Sequence, residues 1–538
     1  MKNDSSASHR LSGIRVFPIN ALPSLQLVSA NVGELCHSYE AKWEAVSRYY
    51  EEIPADLMFF FGDIVIQAEA MGAKVLFDPE NMPAVKAPTS SILTPQAVDA
   101  PRMAVNARVV RDMRRAFPHR SIAGQVYGPF TAAGQVAGEQ AVLRNVREGQ
   151  GELASLLEKA TQVAKSYARL LLDAGADVLW ISDPLAALLP PDAFEACAGQ
   201  YLQQVFDLVN GGPSILHICG DVSGLIKPMI DTGTAGISFD QCMELMAVED
   251  RLPEDVAIIG NLDPVDVVAM ASPESVAEST RELAATMGIL PNFILSTGCA
   301  LPPGTPLANI AAFMEAGNQT LDQVGKHADQ LRPIASAVSL GKNVETADLV
   351  KSALSRNMDP LLITQGGLIR SVRKASARYE TKQCYLPEIL LTVDAFYHGM
   401  EELRPLINKA GESSVQVIIG TIKGDLHSIG KDLVRIMLEA NGFGVLDLGV
   451  DVSASRFAEA VHKHNPSIVG LSAFITSARR QLPAMIEDVR RAGDSGLKVI
   501  VGGAAVNGSI ATEVGADGHS PEAVAAARLV RSFIKGNY

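Results

Sequence analysis

The chain has 538 residues, 47% of them hydrophobic and 20% charged, with a net charge of −14. This is material for several large cores and excludes wholesale disorder. The acidic balance excludes nucleic acid and anionic membrane surfaces as main partners, because both need clustered Lys and Arg.

No apolar run approaches the roughly 20 residues of a spanning helix, and the polar start from Met1 to Leu11 lacks a signal-peptide stretch. Six cysteines are too sparse for a disulfide scaffold. A cytoplasmic protein with free thiols is expected.

After a polar, disordered lead to about residue 12, short β-branched or apolar runs alternate with helix-period stretches. The expected strands are Asp56–Phe61, Ile122–Tyr127, Val178–Ser182, Ile215–Ile218, Gly236–Phe239, Val256–Gly260 and Phe293–Ser296. Glu152–Ala174 and Pro273–Met287 are expected helices between them. Repeated βα units predict an N-terminal (β/α)8 TIM-type barrel over residues 13–325, with an open doubly wound sheet as the alternative. The barrel is preferred because unusual polar residues recur just after the strands, where a barrel builds its active site.

Residues 340–410 carry no strand signal and predict a helical-bundle linker or cap. Its clearest helix repeats Leu386, Ile389, Leu390, Val393, Phe396, Tyr397 and Met400 at three- and four-residue spacing. From 414 to 538 the alternation returns, with runs at Val415–Ile419, Gly444–Leu448, Ile468–Leu471 and Val499–Val501. This predicts a small doubly wound, flavodoxin-like (Rossmann-like) domain, which takes ligands at the carboxyl ends of its strands.

At the first of those carboxyl ends stands Thr421-Ile422-Lys423-Gly424-Asp425-Leu426-His427-Ser428-Ile429-Gly430-Lys431, followed by a helix. With Gly442-Phe443, Gly449, Gly470-Leu471-Ser472-Ala473, Gly502-Gly503-Ala504 and Gly515-Ala516-Asp517 in order, the region resembles the methionine-synthase and methanogen corrinoid proteins with their Asp-x-His-x-x-Gly motif. The resemblance implies cobalamin as cofactor, with His427 ligating cobalt and Asp425 holding its other ring nitrogen. It further implies Ser472 completing that relay, and Gly424, Ser428, Gly430, Gly502 and Gly503 around the corrinoid's nucleotide tail. Taken alone, His427 reads as a helix-flanking histidine and the glycines as turns.

The barrel half carries His217-Ile218-Cys219-Gly220 at one strand end and Ser296-Thr297-Gly298-Cys299-Ala300 at another. His-x-Cys puts both side chains on one side of an extended backbone, and Cys299 can converge from a nearby strand. A Cys2His set with one open position suits catalytic Zn2+, and Asp240 is the candidate fourth ligand. Singly, each cysteine reads as a small buried hydrophobe; Cys36, Cys197, Cys242 and Cys384 are expected to be structural, and His462 and His464 a solvated helix end. Asp63 and Asp183 either line the barrel mouth or cap helices.

Together with Glu69-Ala70-Met71-Gly72-Ala73-Lys74, Gly128-Pro129-Phe130-Thr131, Gly260-Asn261-Leu262-Asp263-Pro264 and Pro302-Pro303-Gly304-Thr305-Pro306, this half resembles uroporphyrinogen decarboxylase-like methyltransferases of the methylcobalamin:coenzyme M type. The fused layout resembles the chloromethane:corrinoid methyltransferases. These resemblances imply methyl transfer between a small donor (methyl halide, methoxy, methylthio or methylamine compound) and protein-bound cobalamin, with His217, Cys219, Cys299 and Asp240 at the reacting centre. A thiol or tetrahydrofolate-type acceptor, a second methyltransferase and a reductive activase are the implied partners. Two readings compete. A tetrapyrrole decarboxylase would need cationic clamps, and Ile14-Arg15-Val16-Phe17-Pro18 lacks the arginine-rich segment of that family. A non-catalytic corrinoid carrier or sensor would keep the barrel only for docking.

Overall fold

A computed structural model describes residues 11–78, 81–89, 99–148, 151–380, 382–407, 416–440, 443–520 and 523–534. Most of the polar lead, Val415 and Gly442 lie outside them. The chain falls into two compact units, Met1–Lys326 and His327–Tyr538.

The first unit contains eight parallel strands: β1 Val16–Phe17, β2 Leu57–Met58, β3 Ser121–Tyr127, β4 Val178–Ser182, β5 Ser214–Ile218, β6 Gly236–Phe239, β7 Ala257–Leu262 and β8 Phe293–Thr297. They pair in the order β1-β8-β7-β6-β5-β4-β3-β2. The strands β4, β5 and β8 are buried at every position, as expected of strands packed inside a barrel and covered outside by helices. Phe17, Phe59 and Trp180 fill the interior, with Trp180 edge-on to Phe59 at 5.0 Å and to Phe17 at 6.1 Å between ring centroids.

Where the barrel ends meet, β1 and β2 are joined by Asp56 rather than by a ladder. The Asp56 N–H donates to the Val16 carbonyl at 3.2 Å. Its carboxylate accepts from the N–H groups of Arg15 at 3.0 Å and Val16 at 2.9 Å. The expected strand Asp56–Phe61 is only two residues long for a local reason: the Phe59 N–H donates to the Tyr50 hydroxyl at 2.6 Å instead of to a neighbouring strand. The helix Pro273–Met287 starts where proline at N1 and the Ser272 side chain, which accepts from Ser275 N–H, fix its first turn.

The second unit has two parts. Helices Asn343–Ser355, Arg370–Glu380 and Leu386–Ile407 form the helical segment, with a π-helical turn at Ile363–Ile369. Gly399 packs against Leu368 and Thr346 so closely that a Cβ would overlap the Leu368 side chain. Five parallel strands follow: β9 Val417–Thr421, β10 Val445–Asp447, β11 Ile468–Ser472, β12 Lys498–Gly502 and β13 Gly518–Ser520. Their order is β10-β9-β11-β12-β13, the 2-1-3-4-5 arrangement of flavodoxin-like sheets. Ile418, Val469, Leu471, Val499 and Val501 pack with Phe457, Val461 and Ile486 in its core. In this topology the crevice opens at the carboxyl ends of β9 and β11, where the strand order reverses. Among the described residues, no helix is long and apolar enough to cross a membrane.

Candidate functional site

Two sites are built on strand ends. In the barrel, β5 delivers His217 and then Cys219, and the turn after β8 delivers Cys299. Their ligand atoms all lie within 4.8 Å of one another. His217 Nε2 is 3.2 Å from Cys219 Sγ, and the two sulfurs are 3.5 Å apart. His217 Nδ1 lies 3.2 Å from the Ser238 carbonyl and 3.1 Å from its hydroxyl. A carbonyl only accepts, so Nδ1 carries the proton and the Nε2 lone pair faces the thiols. Ser238 is the register partner of His217 on β6, and Trp180 stacks on the imidazole at 5.9 Å.

The two thiols share a proton unequally. The hydrogen bond from Cys219, together with the influence of His217, holds Cys299 well below the usual thiol range despite burial, while its bond to Cys299 and burial push Cys219 up. Gly298 makes this approach sterically feasible, because a Cβ there would overlap the Gln241 backbone. Two thiols, one of them thiolate-prone, and an imidazole of fixed tautomer form a donor set that fits a zinc ion.

Asp240, the expected fourth ligand, is not in this group; its carboxylate accepts from the Cys242 N–H at 3.0 Å. The loop carrying it is pinned by Asn261, whose amide donates to the carbonyls of Asp240 and Met243. Asp63 and Asp183 are not free mouth residues either. Asp63 is buried in an ion pair with Arg102, which also binds Glu69 at 2.8 Å. Asp183 sits at the start of the helix Pro129–Ala137, accepting from the Thr131 N–H at 2.8 Å and hydroxyl at 2.5 Å. It therefore caps a helix other than the one following it. Cys36 and Cys384 are buried as expected, but Cys242 is exposed.

Burial lifts the Asp183 carboxyl to about 6, against the hydrogen bonds from Thr131 and Phe130. The folded value exceeds the unfolded 3.8, so the associated stability is full below pH 3.8 and is lost as pH rises through 6. Asp183→Asn should remove that loss, worth about 2 kcal/mol between pH 4 and 7. Urea midpoints of variant and parent should diverge across this window; a pH-independent difference would refute the assignment.

In the second unit, His427 follows β9 at the crevice. Its Nδ1 is 2.8 Å from Asp425 Oδ1, which also accepts the His427 N–H at 3.0 Å. Asp425 Oδ2 accepts the N–H groups of Phe474 at 2.6 Å and Ile475 at 3.1 Å. Burial alone would raise this carboxyl; the hydrogen bonds from His427, Phe474 and Ile475 outweigh it and hold it below the usual range. Nδ1–H is thereby fixed on Asp425, and Nε2 is left free as a ligand atom on a side chain that is 52% exposed. The imidazole stacks on Phe474 at 4.1 Å.

Among the described residues, Asp425 Oδ2 is held by these backbone donors rather than by Ser472, which lines an 840 Å³ cavity beside His427. Ser428, Gly430, Gly502 and Gly503 line it as well, and the helical segment contributes Tyr379 and Ile389. A Cβ on Gly430 would meet nothing within 4 Å, so glycine there keeps cavity space open. Gly503, at φ +106°, has no room for a Cβ beside the Ala473 carbonyl. Gly424 and Asp425 stand behind the wall, with the Gly424 N–H on Asp451 at 2.7 Å. A free imidazole nitrogen at an 840 Å³ cavity whose lining includes Ser428, Gly430, Ser472, Gly502 and Gly503 fits a corrinoid with its nucleotide tail inserted.

The uroporphyrinogen decarboxylase (URO-D) family model matches residues 25–320, and two B12-binding-domain models match 330–404 and 415–528. The chain belongs to the URO-D family, fused to a B12-binding domain. Trimethylamine corrinoid protein 2 of Methanosarcina acetivorans is 35% identical over 192 residues, covering 35% of this chain and 88% of that protein. Dimethylamine corrinoid protein 1 of the same organism is 33% identical over 204 residues, 37% of this chain and 95% of its own. A solved methyltransferase from Methanosarcina mazei shares the fold, with a TM-score of 0.53, 21% identity, and 59% of this chain and 99% of that chain covered.

Within the B12-binding domain, a polar ladder absent from the sequence reading runs along the helix Ile429–Ala440. Lys431, 4% exposed and lining the cavity, pairs with Asp432 and Asp447. One turn on, Arg435 binds Glu439 at 3.2 Å, and both meet the Tyr397 hydroxyl of the helical segment, at 3.2 Å and 2.5 Å. The spacing 431, 435, 439 is the signal that puts these residues on one helix face.

Proposed function

We propose that this fusion is a corrinoid-dependent methyltransferase that moves a methyl group between a small donor and protein-bound cobalamin, assisted by zinc. The observation that carries the proposal is the pairing in one chain of a Cys2His cluster at a URO-D-type barrel mouth with a histidine poised above a corrinoid-sized cavity. Cobalamin supplies a cobalt centre that accepts and surrenders methyl groups. Zinc would be held by His217, Cys219 and Cys299, and would activate a thiol or polarise the donor's leaving atom as a Lewis acid.

The protein's own residues do the rest. Ser238 fixes the His217 tautomer, Cys299 supplies the ready thiolate, and Trp180 with Phe17 and Phe59 closes the barrel floor against water. Asp425 orients His427 and holds its Nδ1–H. Asp240 stands near enough to raise the Cys219 thiol electrostatically and is proposed to complete the zinc shell or steer its open position.

We assign residues 13–325 to the transferase barrel, 340–410 to the corrinoid cap and 414–538 to the cobalamin domain. The donor is a methyl halide, methoxy, methylthio or methylamine compound, and the acceptor a thiol or tetrahydrofolate-type compound. A second methyltransferase and a reductive activase would be partners in a reducing cytoplasm. Fusion keeps both centres at high effective concentration.

Metal analysis and an absorption spectrum, on protein reconstituted anaerobically with hydroxocobalamin, test this directly. Equimolar zinc and cobalt with a histidine-ligated, base-off spectrum are expected. Cobalt without zinc would convert the reading to a carrier or sensor, and zinc without cobalt would overturn the corrinoid site.

A further inference from the structure

Tyr127 ends β3, one strand from β4 and two from the His217 strand. Its register partner is Ser182, whose own partner is His217, whose partner in turn is Ser238. Register partners on neighbouring parallel strands project to the same side of the sheet. The Ser182 hydroxyl accepts from Trp180 Nε1 at 2.9 Å, and Trp180 stacks on His217, so this row of side chains faces the barrel interior. Tyr127 therefore belongs to the layer that carries the Cys2His cluster.

Its backbone is held with unusual firmness. The Gln67 side chain acts as a substitute strand edge, donating to the Tyr127 carbonyl at 2.9 Å and accepting its N–H at 2.7 Å. The ring end is different. The Tyr127 side chain is half-buried, and its hydroxyl donates no hydrogen bond among the described residues. Tyr50 and Tyr167, by contrast, are engaged: Tyr50 accepts from Phe59 N–H and Tyr167 from Asn106. Burial, with Asp63, Tyr167, Cys219 and Cys299 all acting on it, keeps the Tyr127 phenol neutral, so it remains a proton-bearing donor.

A firmly mounted phenol O–H in the layer of a thiol-rich centre is suited to receiving an atom that gains negative charge. We propose that Tyr127 is a hydrogen-bond donor to the leaving atom of the methyl donor, and that this donor carries its methyl group on oxygen or sulfur. The inference rests on the methyltransferase reading above. When the carbon–heteroatom bond breaks, its electron pair stays on the oxygen or sulfur, while the incoming nucleophile's pair forms the new bond to the methyl carbon. Charge thus grows on the heteroatom, and the Tyr127 O–H strengthens its hydrogen bond to it without giving up the proton. A departing chloride, larger and less basic than a phenolate oxygen, gains less from such a donor.

The test compares the reconstituted full chain with Tyr127→Phe, which keeps the ring and removes only the hydroxyl. The probes are 2-methoxyphenol, dimethyl sulfide and chloromethane as donors, with trimethylamine as a further comparison. For 2-methoxyphenol, kcat/KM should fall about 100-fold, with a smaller loss for dimethyl sulfide and almost none for chloromethane. A second readout needs no turnover: calorimetry on the corrinoid-free chain should show catechol, the product of 2-methoxyphenol, binding about 10-fold more weakly to the variant. Zinc and cobalt contents should not change. Equal losses on every donor, no loss, or parent activity confined to chloromethane or trimethylamine would each overturn the role. A parent chain that methylates cobalamin from no donor would instead sink the underlying methyltransferase reading, and the role of Tyr127 with it.

Discussion

Replacing Cys299 with alanine should remove zinc from the barrel and abolish methyl transfer while the corrinoid still loads normally. Cys299 is the member of the thiol pair that most readily gives up its proton, because the Cys219 thiol hydrogen-bonds to it and His217 acts on it as well. Alanine leaves one thiol and one imidazole, too few donors to hold the ion against water. Loss of an outer partner typically costs metal affinity about 10- to 100-fold, and loss of a direct ligand should exceed that. Ser238→Ala supplies the graded control, since it keeps all three ligands but frees one of the two contacts at His217 Nδ1. Zinc titration on both variants, with the cobalamin spectrum in parallel, should give two separated affinity losses and one unchanged spectrum. Full zinc content in Cys299→Ala would disprove the cluster as a metal centre.

The second large effect should come from His427→Ala. Its free ring nitrogen is the atom the proposed function assigns to cobalt, and removing it should erase the histidine-ligated spectrum and weaken corrinoid retention, with zinc untouched. The cavity lined by Gly430, Ser472, Gly502 and Gly503 would remain, so some corrinoid should still enter with another lower ligand. Asp425→Asn should act more gently, because the imidazole stays but loses its charged acceptor. Electron paramagnetic resonance of the Co(II) form reads this directly, since nitrogen hyperfine splitting reports the axial base. Unaltered splitting in His427→Ala would remove His427 from the cobalt.

Much of this was legible in the sequence wherever a side chain or a period carries the signal. Val178–Ser182 and Gly236–Phe239 are continuous apolar runs, and both are strands with those bounds. Four strands among the described residues escaped. Val16–Phe17, Val75–Leu76 and Ala84–Val85 have two residues each, too few to display a period, and Gly518–Ser520 is half-buried and bears a histidine and a serine rather than aliphatic residues.

At the sites, His217, Cys219 and Cys299 were recoverable because thiol and imidazole chemistry is rare enough to stand out. Ser238 was overlooked beside Asp240, although the two are adjacent but one in the chain. The aspartate has the better ligand chemistry, but only register shows that the serine meets the histidine. Asp183 could be read as a cap, but not as the cap of a helix some fifty positions earlier in the chain, because that pairing exists only after β3 and β4 align.

The capture of Asp425 Oδ2 by the N–H groups of Phe474 and Ile475 has an evolutionary side. These donors belong to the peptide chain, so almost any amino acid at 474 or 475 supplies them. The charge environment of His427 is thus insulated from drift at both positions, and the Phe474 ring is free to vary with whatever must approach that face. Proline alone, having no N–H, would be barred. A trait secured in this way leaves little trace in side-chain identity, and a comparison of relatives would register it chiefly as a missing residue type.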